Sequence, residues 1–341
     1  NVVGMGQVNG SLIESAVLIG YQNSRNRFNW GGVVQRIPYV YGGYQVSLAE
    51  FMGEPVFEER DYIYRQINYE VSGFASYPFS RVNRFELSAG YRYLDFDSEI
   101  RTRVYSAITG FLYYRDKEKL PSPDGIHFGF GSAAFVYDTS FFGATGPILG
   151  QSYRLEASPY FGTINFTNVL ADYRRYIVPV RPYTLAFRFL HFGRYGSGAE
   201  DRRLYPLFLG YETLVRGYNP GSFQADEFQE GKEFAYDSLF GSKIIVVNAE
   251  LRFPLFGVLG IGRGYYGVFP IDFITFFDTG IAWTNENKPW FSNGERRLLS
   301  STGVGIRINL FGAAVLGLNL VKPLDRPERG PYLQLSFMPG F

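Results

Sequence analysis

Few residue types in this chain could do covalent chemistry. It holds two histidines, His127 and His191, and no cysteine, which removes disulfide frameworks, thiolate zinc sites and cysteine nucleophiles together. Neither histidine has a recognisable nucleophile motif beside it, so the trio of nucleophile, base and orienting acid is not assembled, and no catalytic residue is assigned. Metal binding has no spaced histidines to support it. The run Gly260-Ile261-Gly262-Arg263-Gly264 has the glycine content of a phosphate loop, but no strand-to-helix unit surrounds it; neither a metal nor a cofactor is expected. Two runs remain. One is Leu214-Val215-Arg216-Gly217-Tyr218-Asn219-Pro220-Gly221, an arginine-glycine turn inside a long polar segment. The other is Phe276-Phe277-Asp278-Thr279-Gly280, whose parity sets Phe276, Asp278 and Gly280 on one face with Asp272.

The elements that must position these runs read as strands. A period of two recurs in segments of about ten residues, the length a tilted strand needs to cross a bilayer. Phe85, Leu87, Ala89, Tyr91 and Tyr93 alternate with Glu86, Ser88, Gly90 and Arg92. Ile245, Val247, Ala249, Leu251 and Phe253 alternate with Asn248, Glu250 and Arg252, and Thr302, Val304, Ile306 and Ile308 alternate with Gly303, Gly305, Arg307 and Asn309. His191 shares its parity with Leu185, Phe187 and Phe189, which gives it a lipid or interface position. Phe and Tyr number 33 and 27, and 40 Gly accompany them, a composition of strands and turns. Tyr and Phe crowd the segment ends as aromatic girdles do. Amphipathic strands without covering helices must pair every backbone group in lipid, and they do so by closing with the polar face inward. No run of about 18 apolar residues exists for a membrane helix. With 33 basic against 32 acidic residues, no net field holds a nucleic acid.

The sequence therefore predicts an all-β transmembrane antiparallel barrel, with about fourteen strands visible. Tight turns at residues 23–27, 77–80, 178–182 and 309–312 face the periplasm. Longer polar stretches around 39–57, 97–124, 192–242 and 284–299 are read as extracellular loops, and structureless loops longer than about 15 residues usually carry function.

The Val215-Arg216-Gly217-Tyr218 tetrad in the 192–242 segment resembles the Val-Arg-Gly-Phe/Tyr signature of the Omp85 (surface antigen D15) family. Five amphipathic segments follow it, and Phe276-x-Asp278-x-Gly280 is similar to that family's Phe-x-Asp-x-Gly strand motif. The terminal Phe341, in parity with Leu333, Leu335 and Phe337, resembles a barrel-recognition signal. The resemblance implies that the tetrad tips a sixth extracellular loop folded into the lumen. There Arg216 needs a fixed anion to offset its desolvation, with Asp278 the first candidate and Glu250 the second. It also implies a single barrel domain over residues 1–341 and a multi-pass location in a bacterial outer membrane. The visible segments fit all but the first two strands of about sixteen, and those two strands, with any N-terminal soluble domain, would precede the chain. The implied function is protein insertion, assembly or polypeptide translocation. Partners would be outer-membrane lipid, polypeptide substrates and accessory envelope proteins. The rival reading is a passive channel, or an anchor for an N-terminal soluble domain.

Overall fold

The computed structural model describes residues 2–9, 11–224, 227 and 236–339. The chain is all-β: β1 (Val2–Asn9), β2 (Ser11–Asn23), β3 (Asn29–Phe51), β4 (Glu54–Pro78), β5 (Asn83–Ser106), β6 (Leu112–Leu120), β7 (Ile126–Asp138), β8 (Phe141–Phe142), β9 (Pro147–Gly162), β10 (Phe166–Val180), β11 (Tyr183–Tyr195), β12 (Leu207–Phe208), β13 (Phe240–Gly241), β14 (Lys243–Pro254), β15 (Ile271–Trp283), β16 (Leu299–Leu310), β17 (Ala314–Pro323) and β18 (Tyr332–Pro339). Among the described residues the one α-helix is the single turn Leu255–Val258. None is long and apolar enough to cross a membrane, which leaves crossing by strands untouched. Fourteen strands follow one another as hydrogen-bonded neighbours in the order β1-β2-β3-β4-β5-β7-β9-β10-β11-β14-β15-β16-β17-β18, while β6 folds back on β5 and β8 on β9. This is the antiparallel meander that the alternating segments predict.

The strands group into two compact units. One comprises Asn1–Tyr77, Glu86–Ser132 and Pro159–Asn165; the other comprises Pro78–Phe85, Ala133–Ser158 and Phe166–Phe341. The first unit corrects two of the expected loops. Residues 39–57 are the ends of β3 and β4, paired without interruption to a turn of only Met52 and Gly53. Residues 97–124 are largely β5 paired with β6. The reason is physical: runs such as Tyr39-Val40-Tyr41 and Arg115-Asp116-Lys117-Glu118-Lys119 put like residues on both faces of a strand and mask the period of two, while the backbone is held extended by its ladder to the neighbouring strand.

The second unit carries the Arg216 loop. On β15, Asp272, Ile274, Phe276, Asp278 and Gly280 are buried while Phe277 is exposed, so one face alternates cleanly. The loop lies on that face. Phe208, Leu209, Val215, Tyr218 and Leu239 from the long segment form one cluster with Leu190, Ile244, Val246, Ala282 and Leu299 from the strands. The loop is thus packed as a core element, pinned further by the short β12 and β13 pair. Gly280 explains how the loop comes so close. A Cβ there would stand 2.8 Å from Leu209 Cδ1 and 2.9 Å from Val215 Cγ2, so only glycine leaves room for the loop's apolar residues.

Full burial of a Leu or Val side chain contributes about 1.5–3 kcal/mol, and truncation adds a cavity penalty. Leu209→Ala should therefore destabilise the docked loop by about 2–5 kcal/mol. Faster proteolysis of residues 196–242 in the detergent-solubilised protein, with the strands still resistant, is the expected readout. An unchanged cleavage rate would contradict this packing.

Candidate functional site

The site is assembled from a loop tip and five strands, β14 to β18. Gly217 has φ of +93°, a left-handed conformation that glycine adopts without strain, and a Cβ there would stand 2.9 Å from Val321. This turn aims Arg216 at the buried face of β14 and β15, whose register places Asn248 opposite Asp278 and Glu250 opposite Phe276. The Arg216 guanidinium donates from Nε to Asp278 Oδ2 at 2.6 Å and from Nη2 to Asp278 Oδ1 at 2.8 Å. Nη2 also lies 2.8 Å from Glu250 Oε1, and the Arg216 backbone N–H donates to Asp278 Oδ2 at 3.3 Å. The guanidinium carbon sits 3.5 Å over the centre of the Phe276 ring. Planar bidentate pairing on one edge and stacking on a face are what a guanidinium supports and an ammonium does not. Burial alone would lower the Arg216 pKa, but the Glu250 and Asp278 carboxylates outweigh it and hold the group above its ordinary value.

Each carboxylate is itself held. Asp278 Oδ1 accepts a 2.8 Å hydrogen bond from Asn248 Nδ2, which also donates to the Leu214 carbonyl at 2.7 Å. Glu250 accepts from Arg252 Nε at 2.7 Å and from Arg307 Nη2 at 2.9 Å. Three guanidinium groups therefore share Glu250, and Asp278 is the bidentate seat of Arg216 alone among them. Gly303 faces Phe276 on β16; a Cβ there would stand 2.6 Å from the Phe276 ring, so the missing side chain lets that ring lie flat beneath Arg216.

A second cation extends the anchorage. Arg326, after β17, donates to the Gly217 carbonyl at 2.8 Å, to Ser222 Oγ at 2.9 Å and to Glu227 Oε1 at 2.7 Å. Gln334 on β18 accepts from the Gly217 N–H at 3.0 Å. Tyr218 is fully buried and donates to the Ser300 carbonyl at 2.7 Å. Its hydroxyl pKa is pushed up by burial and by the nearby Asp325 carboxylate, so it stays a donor at any physiological pH.

Val215, Arg216, Gly217, Tyr218, Glu250, Phe276, Asp278 and Gly280 thus converge in one place, whereas Phe341 lies outside the described residues. Asn248, Gln334, Arg307 and Arg326 belong to the same constellation and were not among the expected site residues. Asn248 and Arg307 share the inward parity of their strands, the one signal that could have found them. Among the described residues, no group of three or more histidine, aspartate or glutamate side chains is arranged to hold a metal ion. The histidines lie elsewhere: His127 Nδ1 is 2.5 Å from the Tyr91 hydroxyl, and His191 Nδ1 donates to the Ile244 carbonyl at 3.0 Å. The arrangement can clamp a loop; it presents no nucleophile.

The sequence matches the Omp85 superfamily domain over residues 38–341. Among solved structures, BamA from Haemophilus ducreyi lacking POTRA domains 1–3 aligns with a TM-score of 0.55 at 16% identity, covering 98% of this chain and 68% of that one. CdiB from Acinetobacter baumannii aligns with a TM-score of 0.51 at 13% identity, covering 96% of this chain and 50% of that one. At such identities the likeness is one of fold. Comparison with curated proteins gave no match.

Removing one partner of a buried ion pair leaves the other charge uncompensated, at a cost of about 3–5 kcal/mol. Arg216→Ala should accordingly lower the melting temperature in detergent and expose the loop to protease. Asp278→Asn should do the same, and the double variant should lose less than the sum of the two; strictly additive losses would mean that the residues do not act as a pair.

Glu227 supplies a pH test. Its hydrogen bonds from Arg326 hold its carboxyl below the usual range. The stabilisation is present above the ordinary glutamate value of about 4.3 and is lost as pH falls through the lowered one. Loop protease resistance should fall across that acidic window, and Glu227→Gln should remove that component of the pH dependence. An identical acid profile in the variant would exclude Glu227 as the titrating group.

Proposed function

We propose that this chain, which belongs to the Omp85 superfamily, is an outer-membrane β-barrel that handles other polypeptides, inserting them into the bacterial outer membrane or passing them across it. The observation that carries the reading is the buried Arg216 clamp. A loop that merely closed one end of a strand pair would not need a bidentate carboxylate, a stacked aromatic ring and two glycines cut to its shape. Held on the polar face of β14 to β17, the loop acts as an internal strut that sets the register of the strands carrying Glu250 and Asp278. Arg216 is a structural element here, not a catalyst. The chemistry proposed is exchange of backbone hydrogen bonds between strands, and no covalent bond is broken. Unpaired backbone groups are most costly in lipid, so an incoming strand gains most where it completes a ladder. Polypeptide substrates and outer-membrane lipid are the partners this requires, with accessory envelope proteins as further candidates.

The test is reconstitution of the full-length protein in vesicles, with assembly or export of a polypeptide measured beside planar-bilayer conductance, for wild type and Arg216→Ala. Loss of polypeptide handling by a variant whose barrel still folds is the expected result. Steady solute conductance with no dependence on polypeptide, in both proteins, would instead assign a passive channel or an anchor for a soluble domain.

A further inference from the structure

The connection from β7 to β9 does more than turn the chain. In an antiparallel meander successive connections lie at alternate ends, so residues 139–146 stand at the end opposite the Arg216 loop, with the β14-to-β15 and β16-to-β17 connections. Their polar contacts run to strands that are not their neighbours. β10 and β11 lie between β9 and β14 in the sheet, yet Arg252 on β14 donates from Nη1 to the Pro147 carbonyl at 3.2 Å. Thr145 donates from Oγ1 to Asp272 on β15, and Asn309 on β16 donates from Nδ2 to the Ala144 carbonyl. The Ala144 N–H donates to the Tyr266 hydroxyl at 2.7 Å. Thr145 and Asp272 are both buried. The fit is close: a Cβ at Gly143 would stand 2.9 Å from Ile148 Cγ2 and closer still to the Tyr266 hydroxyl. Residues 139–147 therefore reach past two strands to a seat on the inward face of β14 to β16.

This seat is joined to the strut. Arg252 donates from Nε to Glu250 Oε2 at 2.7 Å while its Nη1 holds Pro147. Glu250 Oε1 takes Arg216 Nη2 at 2.8 Å and Arg307 Nη2 at 2.9 Å. One carboxylate thus stands between a segment that enters from one end of the strands and a loop that enters from the other, with Arg252 on the first side and Arg216 on the second. A buried carboxylate depends on its cations. Removing Arg216 takes one from Oε1. Arg252, which grips Oε2 through Nε and Nη2, is then drawn across both oxygens in the bidentate geometry a guanidinium favours, and that rotation takes Nη1 from Pro147. In the other direction, release of Pro147 frees Arg252 to compete with Arg216 for Oε1. Coupling of this kind acts equally both ways.

We propose that residues 139–147 are a gating segment whose docking on β14 to β16 is coupled, through Arg252 and Glu250, to docking of the Arg216 loop, so that the inward face of these strands is uncovered at both ends together. The inference rests on the barrel reading for what the uncovered face does, which is to offer a polar wall to whatever passes along it. The coupling itself is a property of the four groups Pro147, Arg252, Glu250 and Arg216, and it is measurable without any passenger.

The experiment is amide hydrogen exchange on the full chain in nanodiscs, read at Gly143 and Ala144, whose N–H groups are held by the Gly146 carbonyl and the Tyr266 hydroxyl. Arg216→Ala should speed exchange at both by about tenfold and leave the amides of the β10–β11 ladder unchanged. Thr145→Val removes the hydroxyl bound to Asp272 and keeps the side chain's size. It should speed exchange at the same two amides and, by reciprocity, speed protease cleavage of residues 196–242 by a similar factor, while Thr145→Ser behaves as wild type. Unchanged exchange at Gly143 and Ala144 in either variant, or unchanged loop cleavage in Thr145→Val, would overturn the coupling. Equal acceleration throughout the β10–β11 ladder would overturn it too, since that is general unfolding. In planar bilayers Thr145→Val should be open for more of the time than wild type, and identical conductance would overturn the gating role. If the two segments respond together but wild type moves no polypeptide, the functional reading falls and the coupling stands. If wild type moves polypeptide and the segments respond independently, the coupling falls alone.

Discussion

A guanidinium removed from water has to be paid for, and the second unit is organised around that requirement. Arg216 is satisfied along one edge by Asp278, at one nitrogen by Glu250 and on one face by Phe276. Each of those groups imposes a further condition. Asp278 draws in Asn248, Glu250 draws in Arg252 and Arg307, and Phe276 lies flat only because residue 303 is glycine. Loss of Arg216 or of Asp278 leaves the other buried charge without its main partner.

The apolar packing beneath the loop does the opposite work. Leu209, Val215 and Leu239 are fully buried against Ile244, Val246 and Ala282, and this burial drives docking without choosing a register. The ion pair chooses it. Arg326 and Gln334 then hold the Gly217 peptide from both ends, its carbonyl and its N–H. A long segment with little secondary structure of its own thus becomes a fixed part of the fold, which is the property a strut needs in the function proposed for the chain.

The first unit follows another rule. Its hairpin strands are long, and Val56, Glu99, Val104 and Ser106 near their ends are buried. Extended backbone is kept by the ladder and by a type I′ turn, while Arg65 is buried among Glu14, Asp97 and Glu99 at 2.9 to 3.0 Å. That buried arginine joins β2, β4 and β5 near the level where β2 leaves β3.

Strand identity, antiparallel order and the inward face of β15 were legible in the residues because alternation is a local property: Phe276, Asp278 and Gly280 share a face by spacing alone. The tetrad Val215 to Tyr218 was legible by resemblance. The ends of β3, β4 and β5 were not, because the pairing that keeps them extended acts between strands and runs of like residues mask their period. Nor were Arg326, Gln334 and Arg307, which stand up to 117 residues from their partners. Sequence by itself determined which side chains each strand presents to each face. Only the tertiary structure decided which arginine meets which carboxylate, because desolvation and distance act between residues that folding, and not the chain, makes neighbours.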